Sequence, residues 1–151
     1  MSESLNWPVV YCYDGSEHSR EALASAGRIL ADSPAYVVTV WRSAWSAMAG
    51  APYATVSPDT VDTLDRAAED ASVKLAEEGA ALVPGAVGES IPEDGTVWRS
   101  ILEFADQHDA RLIVVGSRGL SGLRSSVMGS VSHGLLNHSK RPIMVVPAHH
   151  E

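Results

Sequence analysis

The sequence predicts an α/β fold with an open, doubly wound parallel sheet of five strands. Three observations predict it. Strand and helix signals alternate along all 151 residues. Two apolar runs, Val9-Val10-Tyr11-Cys12-Tyr13 and Leu112-Ile113-Val114-Val115, are continuous rather than alternating, as in strands buried on both faces. No internal repeat, linker or low-complexity segment divides the chain, so residues 1–151 are expected to form one domain.

The elements follow in order. The first run is closed by Asp14-Gly15, and Ser16 is placed to cap a helix beginning near Glu17. Leu23, Ala26, Ile29 and Leu30 recur at three- and four-residue spacing and predict its buried stripe, with Pro34 ending the helix. Tyr36 to Trp41 is the second strand, rich in Val and Thr. Residues 42–58, small and punctuated by Gly and Pro, read as a long loop of the kind that serves as a lid or partner surface.

Ser57-Pro58-Asp59 starts the next helix, with Pro in the first turn and an acid at the positive end of the dipole. Val61, Leu64, Ala68, Ala71 and Leu75 form its expected stripe, and Gly79 its expected stop. A third strand is expected within Ala86 to Ile91; its Gly and Ser mark it as an edge. Glu93-Asp94-Gly95 is a turn, and Val97, Ile101, Leu102 and Ala105 give another helical stripe. After the Leu112 run, a glycine- and serine-rich loop spans Gly116 to Met128, and a short helix is expected from about Ser130 to Asn137. Ile143-Met144-Val145-Val146 is the last strand, bracketed by Pro142 and Pro147. The order β-α-β-α-β-α-β-α-β implies helices on both faces and right-handed crossovers.

Composition narrows the function classes. With 45% hydrophobic and 20% charged residues the chain is not disordered, and no apolar run approaches the roughly 20 residues of a spanning helix. Met1 to Pro8 has no basic-then-apolar signal region, and the single cysteine, Cys12, makes no intrachain disulfide; both fit a reducing cytoplasm. A net charge of −8 argues against nucleic-acid binding. Within that acidic chain, residues 117–151 carry Arg118, Arg124, Lys140 and Arg141 against Glu151 alone. Such a basic stretch suits either a small anion or an ordinary solvated surface.

The loop after the fourth strand decides between those two. Gly116 and Gly119 lie just past the carboxyl end of a buried strand, where a backbone without Cβ approaches a ligand closely. Gly129 and Ser130 stand where a helix begins, and a helix N-terminus offers amides and partial positive charge to phosphate. Ser130 and Ser132 add hydroxyls, and Arg118 and Arg124 add charge. In open α/β sheets ligands sit outside the strand carboxyl ends where the strand order reverses, and Asp14 faces the same crevice if the sheet starts from its middle strand. Each residue also has a plainer use: Asp14 as a turn former, Gly129-Ser130 as a helix cap, the arginines as surface charge.

The spacing Gly116-x2-Gly119-x9-Gly129-Ser130 resembles the signature of the universal stress protein family, specifically of its ATP-binding members. The resemblance extends to Asp14-Gly15-Ser16 after the first strand, to residues 113–119 and to Arg141-Pro142-Ile143-Met144-Val145-Val146-Pro147, and so to essentially the whole chain. It implies a Rossmann/flavodoxin-like sheet of order 3-2-1-4-5, homodimers pairing through the last strand, and a role in stress response. It further implies that Asp14 contacts the ribose–adenine region, that Val40 meets adenine through its backbone, and that Val115 and Gly116 pass beneath the nucleoside. Arg118, Gly119, Gly129, Ser130, Val131 and Ser132 would surround the phosphates of ATP, with Mg2+ bridging phosphate oxygens. The sequence departs from the family at Thr39-Val40-Trp41, where members often carry His-Val.

Motifs for catalysis are missing. No Walker A lysine follows the glycines, Gly129 to Gly134 has the wrong spacing for a nucleophile elbow, and the dinucleotide Gly-x-Gly-x-x-Gly is not found. At most, slow ATP hydrolysis or autophosphorylation is expected. Cys12, within a strand and with nothing nearby to lower its pKa, reads as an inert core thiol. The histidines at 18, 108, 133, 138, 149 and 150 lack ligand spacing, and Trp7, Trp41, Trp45 and Trp98 read as packing or partner contacts. Two alternatives use the same fold differently: a stress protein acting through protein partners with an empty crevice, and a flavodoxin-like carrier of FMN.

Overall fold

The computed structural model describes residues 6–49, 56–118 and 128–147. The elements are β1 (Val9–Cys12), α1 (Glu17–Ile29), β2 (Ala35–Trp41), α2 (Ala44–Met48), α3 (Pro58–Ala80), β3 (Val87–Pro92), α4 (Val97–Gln107), β4 (Leu112–Gly116), α5 (Ser130–His138) and β5 (Ile143–Val146). All five strands pair in parallel in the order β3-β2-β1-β4-β5. The chain order reverses between β1 and β4, which opens a crevice at their carboxyl ends.

Strand periodicity divides the core in two. Val10, Cys12, Val38, Ile113 and Val115 point to one face and pack on Ile101, Phe104 and Ala105 of α4 and Leu135 of α5. Val9, Tyr11, Tyr13, Val37 and Val114 point to the other and pack on Leu23 and Ala26 of α1, with Leu75 and Ala80 of α3 partly buried against them. Each residue step along a strand exchanges faces, so both must be apolar.

Several elements depart from the sequence expectation. In α1 the buried line is Ser19, Ala22, Leu23, Ala26 and Gly27, while Ile29 is 74% exposed. In α3 the buried residues are Val61, Ser72, Ala76 and Gly79, whereas Leu64 and Ala71 face solvent. The helix lies so close to the sheet that small residues, not the larger apolar ones, form its inner line. Gly79 therefore does not stop α3. It lies inside it, where a Cβ would meet Tyr13 Cδ1 at 2.6 Å and Val37 Cγ1 at 2.7 Å. The 42–58 segment is not wholly a loop, because Ser43 caps α2, which docks on α3 through Ala44 N–H to Asp65 Oδ1 at 2.7 Å.

The weakly marked third strand is the edge strand β3, paired with β2 at six positions. Gly88 permits this, since a Cβ there would lie 2.6 Å from the Ala76 carbonyl oxygen of the overlying helix. Among the described residues no helix is long and apolar enough to cross a membrane.

Candidate functional site

The crevice holds a cavity of about 330 Å³. Its floor is apolar: Cys12, Val38, Val40 and Val115 from the sheet, with Val97 and Ile101 from α4. Its rim is polar and main-chain: Asp14 and Ser19 on one side, Gly116, Arg118, Gly129, Ser130 and Ser132 on the other. Nine of the ten residues singled out from the sequence, Asp14, Val40, Val115, Gly116, Arg118, Gly129, Ser130, Val131 and Ser132, thus line one hollow. The tenth, Gly119, lies outside the described residues, as does Arg124.

Asp14 serves its turn and the hollow together. Its Oδ1 accepts from the Ser16 N–H at 2.9 Å and from the Ser19 hydroxyl at 2.7 Å. Gly15 makes that turn with φ of +79°, a conformation that strongly favours glycine. Ser19, buried and lining the cavity, was not singled out in the sequence. Its signal there was only its place one helical turn after the Ser16 cap.

The opposite rim is the N-terminus of α5. The Gly129 N–H is taken by the Ser117 carbonyl at 2.8 Å, which ties the helix start to the end of β4. The next three amides, of Ser130, Val131 and Ser132, open the helix and have no intrahelical acceptor. The other four helices are capped by a hydroxyl, from Ser16, Ser43, Ser57 and Thr96. Gly129 leaves α5 without a side-chain cap. The Ser132 hydroxyl corrects the sequence reading: it is buried and donates to the Gly129 carbonyl at 3.0 Å, so its proton is already used. Ser130 is exposed.

Burial sets the titration of the neighbouring groups. The Cys12 thiol is pushed up to about 12 by burial and by the negative charge of Asp14, so it is a core thiol without nucleophilic character. Tyr13 is also pushed up to about 12, by burial and by the hydrogen bond its hydroxyl donates to Glu78 Oε1 at 2.7 Å. That bond and the pairing of Arg20 with the same oxygen hold the Glu78 carboxyl below its usual range. Among the described residues no cluster of three or more His, Cys, Asp or Glu side chains forms a metal site.

Comparison with known proteins agrees with this architecture. The model of the universal stress protein family matches residues 7–147. The chain is 32% identical over 140 residues to universal stress protein YxiE of Bacillus subtilis (strain 168), covering 88% of this chain and 93% of that one. It superposes on the solved structure of hypothetical protein MJ0577 with a TM-score of 0.70 at 17% identity, covering 97% and 99% of the two chains. A crystal structure of a universal stress protein in complex with cAMP matches with a TM-score of 0.56 at 26% identity, over 94% and 97%. With a family match over nearly its whole length, a relative above 30% identity and the 3-2-1-4-5 parallel sheet, the chain belongs to the universal stress protein family.

Proposed function

We propose that this chain binds ATP in the crevice between β1 and β4 as a regulatory or signalling ligand in a stress response. One observation carries the reading. Gly129 has φ −61° and ψ 156°, nearly the angles of the capping Ser16, so its backbone does not require glycine. A Cβ there would meet Ser117 O at 3.5 Å, Arg118 Cα at 3.6 Å and Ser132 Oγ at 3.6 Å, all ordinary contacts. The chain itself has room for a serine cap at 129. A bare position there suits a ligand that takes the first-turn amides in place of a hydroxyl.

The chemistry of the hollow fits a nucleotide. Its apolar floor suits a base, and its amide-lined rim with Arg118 suits phosphate. In this reading Asp14 contacts the ribose–adenine region, Val40 reads adenine through its main chain, and Val115 and Gly116 underlie the nucleoside. Arg118, Gly119, Gly129, Ser130, Val131 and Ser132 surround the phosphates, Ser132 through its N–H. Mg2+ would offset phosphate charge, since the rim offers few cations. A relative at 26% identity is a cAMP complex, which supports an adenine nucleotide as the ligand class. The protein would act in the cytoplasm as a homodimer pairing through β5, and no residue is assigned to catalysis.

Exposed Trp45 and Leu64, on α2 and α3, favour a second reading in which protein partners bind there and the crevice stays empty. Calorimetric titration with Mg-ATP decides between them. Heat of binding and a raised melting temperature are expected; neither at millimolar ATP would remove the nucleotide reading. Mass spectrometry of the ligand carried by freshly purified protein identifies the nucleotide and would reveal FMN instead.

A further inference from the structure

Thr39 does not line the cavity, yet it touches the chain at the point where base and ribose would be held. On β2, successive residues direct their main-chain groups alternately to either neighbouring strand. The Val38 carbonyl accepts from the Tyr13 N–H at 3.0 Å, so Val38 faces β1; the Trp41 carbonyl accepts from the Glu93 N–H at 2.8 Å, on the β3 side. Val40, two residues after Val38, directs its N–H and carbonyl toward β1. Pairing of β1 with β2 has already ended there, at Cys12 with Val38.

In a continued ladder the Val40 N–H would donate to the Tyr13 carbonyl. Among the described residues that carbonyl accepts instead from the Thr39 hydroxyl, at 3.0 Å. Thr39 is buried, and its own carbonyl accepts from the Ser72 hydroxyl at 3.3 Å, which in turn accepts from the Ser90 hydroxyl at 2.9 Å. Thr39 is thus held through its carbonyl from α3 and β3 and through its hydroxyl from the end of β1.

We infer that Thr39 is a positioning residue for base recognition. By drawing the Tyr13 carbonyl toward its own side chain, the hydroxyl fixes the Tyr13–Asp14 peptide that leads into the rim and turns it from the Val40 N–H, which stays open at the cavity wall. An open N–H at Val40 suits adenine, whose N1 accepts a hydrogen bond. It disfavours hypoxanthine, whose N1 carries a proton. The inference rests on the nucleotide reading above and adds to it a determinant of base choice that acts from outside the pocket.

The test compares ATP with ITP, which share ribose and triphosphate, on the full chain and on Thr39→Val and Thr39→Ser. The native chain is expected to prefer ATP. Thr39→Val removes the hydroxyl at nearly constant volume and releases the Tyr13–Asp14 peptide, so that its carbonyl turns to the Val40 N–H. The ATP-over-ITP preference should then fall about five- to tenfold, the loss of one neutral hydrogen bond, and Thr39→Ser should retain it. A merely structural role would weaken ATP and ITP alike and leave their ratio unchanged. Hydrogen exchange of the Val40 amide, measured without nucleotide, should slow in Thr39→Val relative to the native chain. If the native chain binds neither nucleotide, the nucleotide reading fails, and this inference with it. If it discriminates and Thr39→Val discriminates equally, with unchanged exchange at Val40, the nucleotide reading stands and the inference about Thr39 is overturned.

Discussion

Gly134 of α5 lies directly against the indole of Trp98 on α4: a Cβ at 134 would stand 2.2 Å from Trp98 Cδ1 and 2.4 Å from Cγ. His138, one helical turn after Gly134, stacks on the same indole at 4.1 Å between ring centroids. This contact sets how closely α5 approaches α4, and so where the first turn of α5 meets the crevice. Gly134→Ala should displace the ring or the helix and cost about 1–3 kcal/mol as overpacking. Denaturant unfolding reads it as a lower midpoint with unchanged slope, and a native midpoint would contradict the packing described.

At the start of the same helix a substitution should separate stability from binding. Gly129→Ser places a hydroxyl on a backbone already at N-cap angles. The new cap and the reduced freedom of the unfolded chain should raise stability by about 0.5–1 kcal/mol. The same hydroxyl competes for the amides assigned to phosphate, so ATP affinity should fall. Thermal unfolding and calorimetry on one preparation check both signs; undiminished affinity would refute the assigned cradle.

Asp109 follows α4 with φ of 51°, the one described non-glycine residue at positive φ. The Ala110 N–H returns to the Ala105 carbonyl at 2.9 Å, closing the helix over this left-handed residue. Asp109→Gly relieves the strain and removes a negative charge from a helix C-terminus. A gain of about 1 kcal/mol is expected, or roughly 2–4 °C in melting temperature.

Alkaline pH should destabilise the fold through tyrosine. Burial pushes the Tyr11 phenol up to about 12, and burial with the Glu78 bond does the same for Tyr13. An unfolded tyrosine releases its proton near pH 10. Between about pH 10 and 12 the unfolded chain therefore binds fewer protons than the native one, and stability falls as pH rises. Below pH 10 this contribution is fully present. Ultraviolet titration of the native protein and of its Tyr11→Phe and Tyr13→Phe variants should show these two phenols ionising late; their ionising near pH 10 would exclude it.

Much of this protein is legible in its sequence. Continuous apolar runs at 9–13 and 112–115 can be satisfied only by burial on both faces, and they place β1 and β4 at the sheet centre. The spacing of Gly116, Gly129 and Ser130 relative to β4 announces a strand, a turn and a bare helix start. The cavity gathers those residues with Asp14 from a hundred positions earlier.

Other features follow only from tertiary contact. Helical periodicity marks a set of apolar residues but not how closely the helix will approach the sheet. At the short separation imposed by Gly79 and Gly88, Ser72 and Ala76 go inside and Leu64 outside. Thr39 carries no motif; its hydroxyl gains meaning from the Tyr13 carbonyl at the end of another strand, which the fold brings to 3.0 Å. Local sequence determines which segments become strands and helices because period and capping act within a few residues. Which hydroxyl meets which carbonyl across strands is decided only when the sheet closes, because those partners are neighbours in space alone.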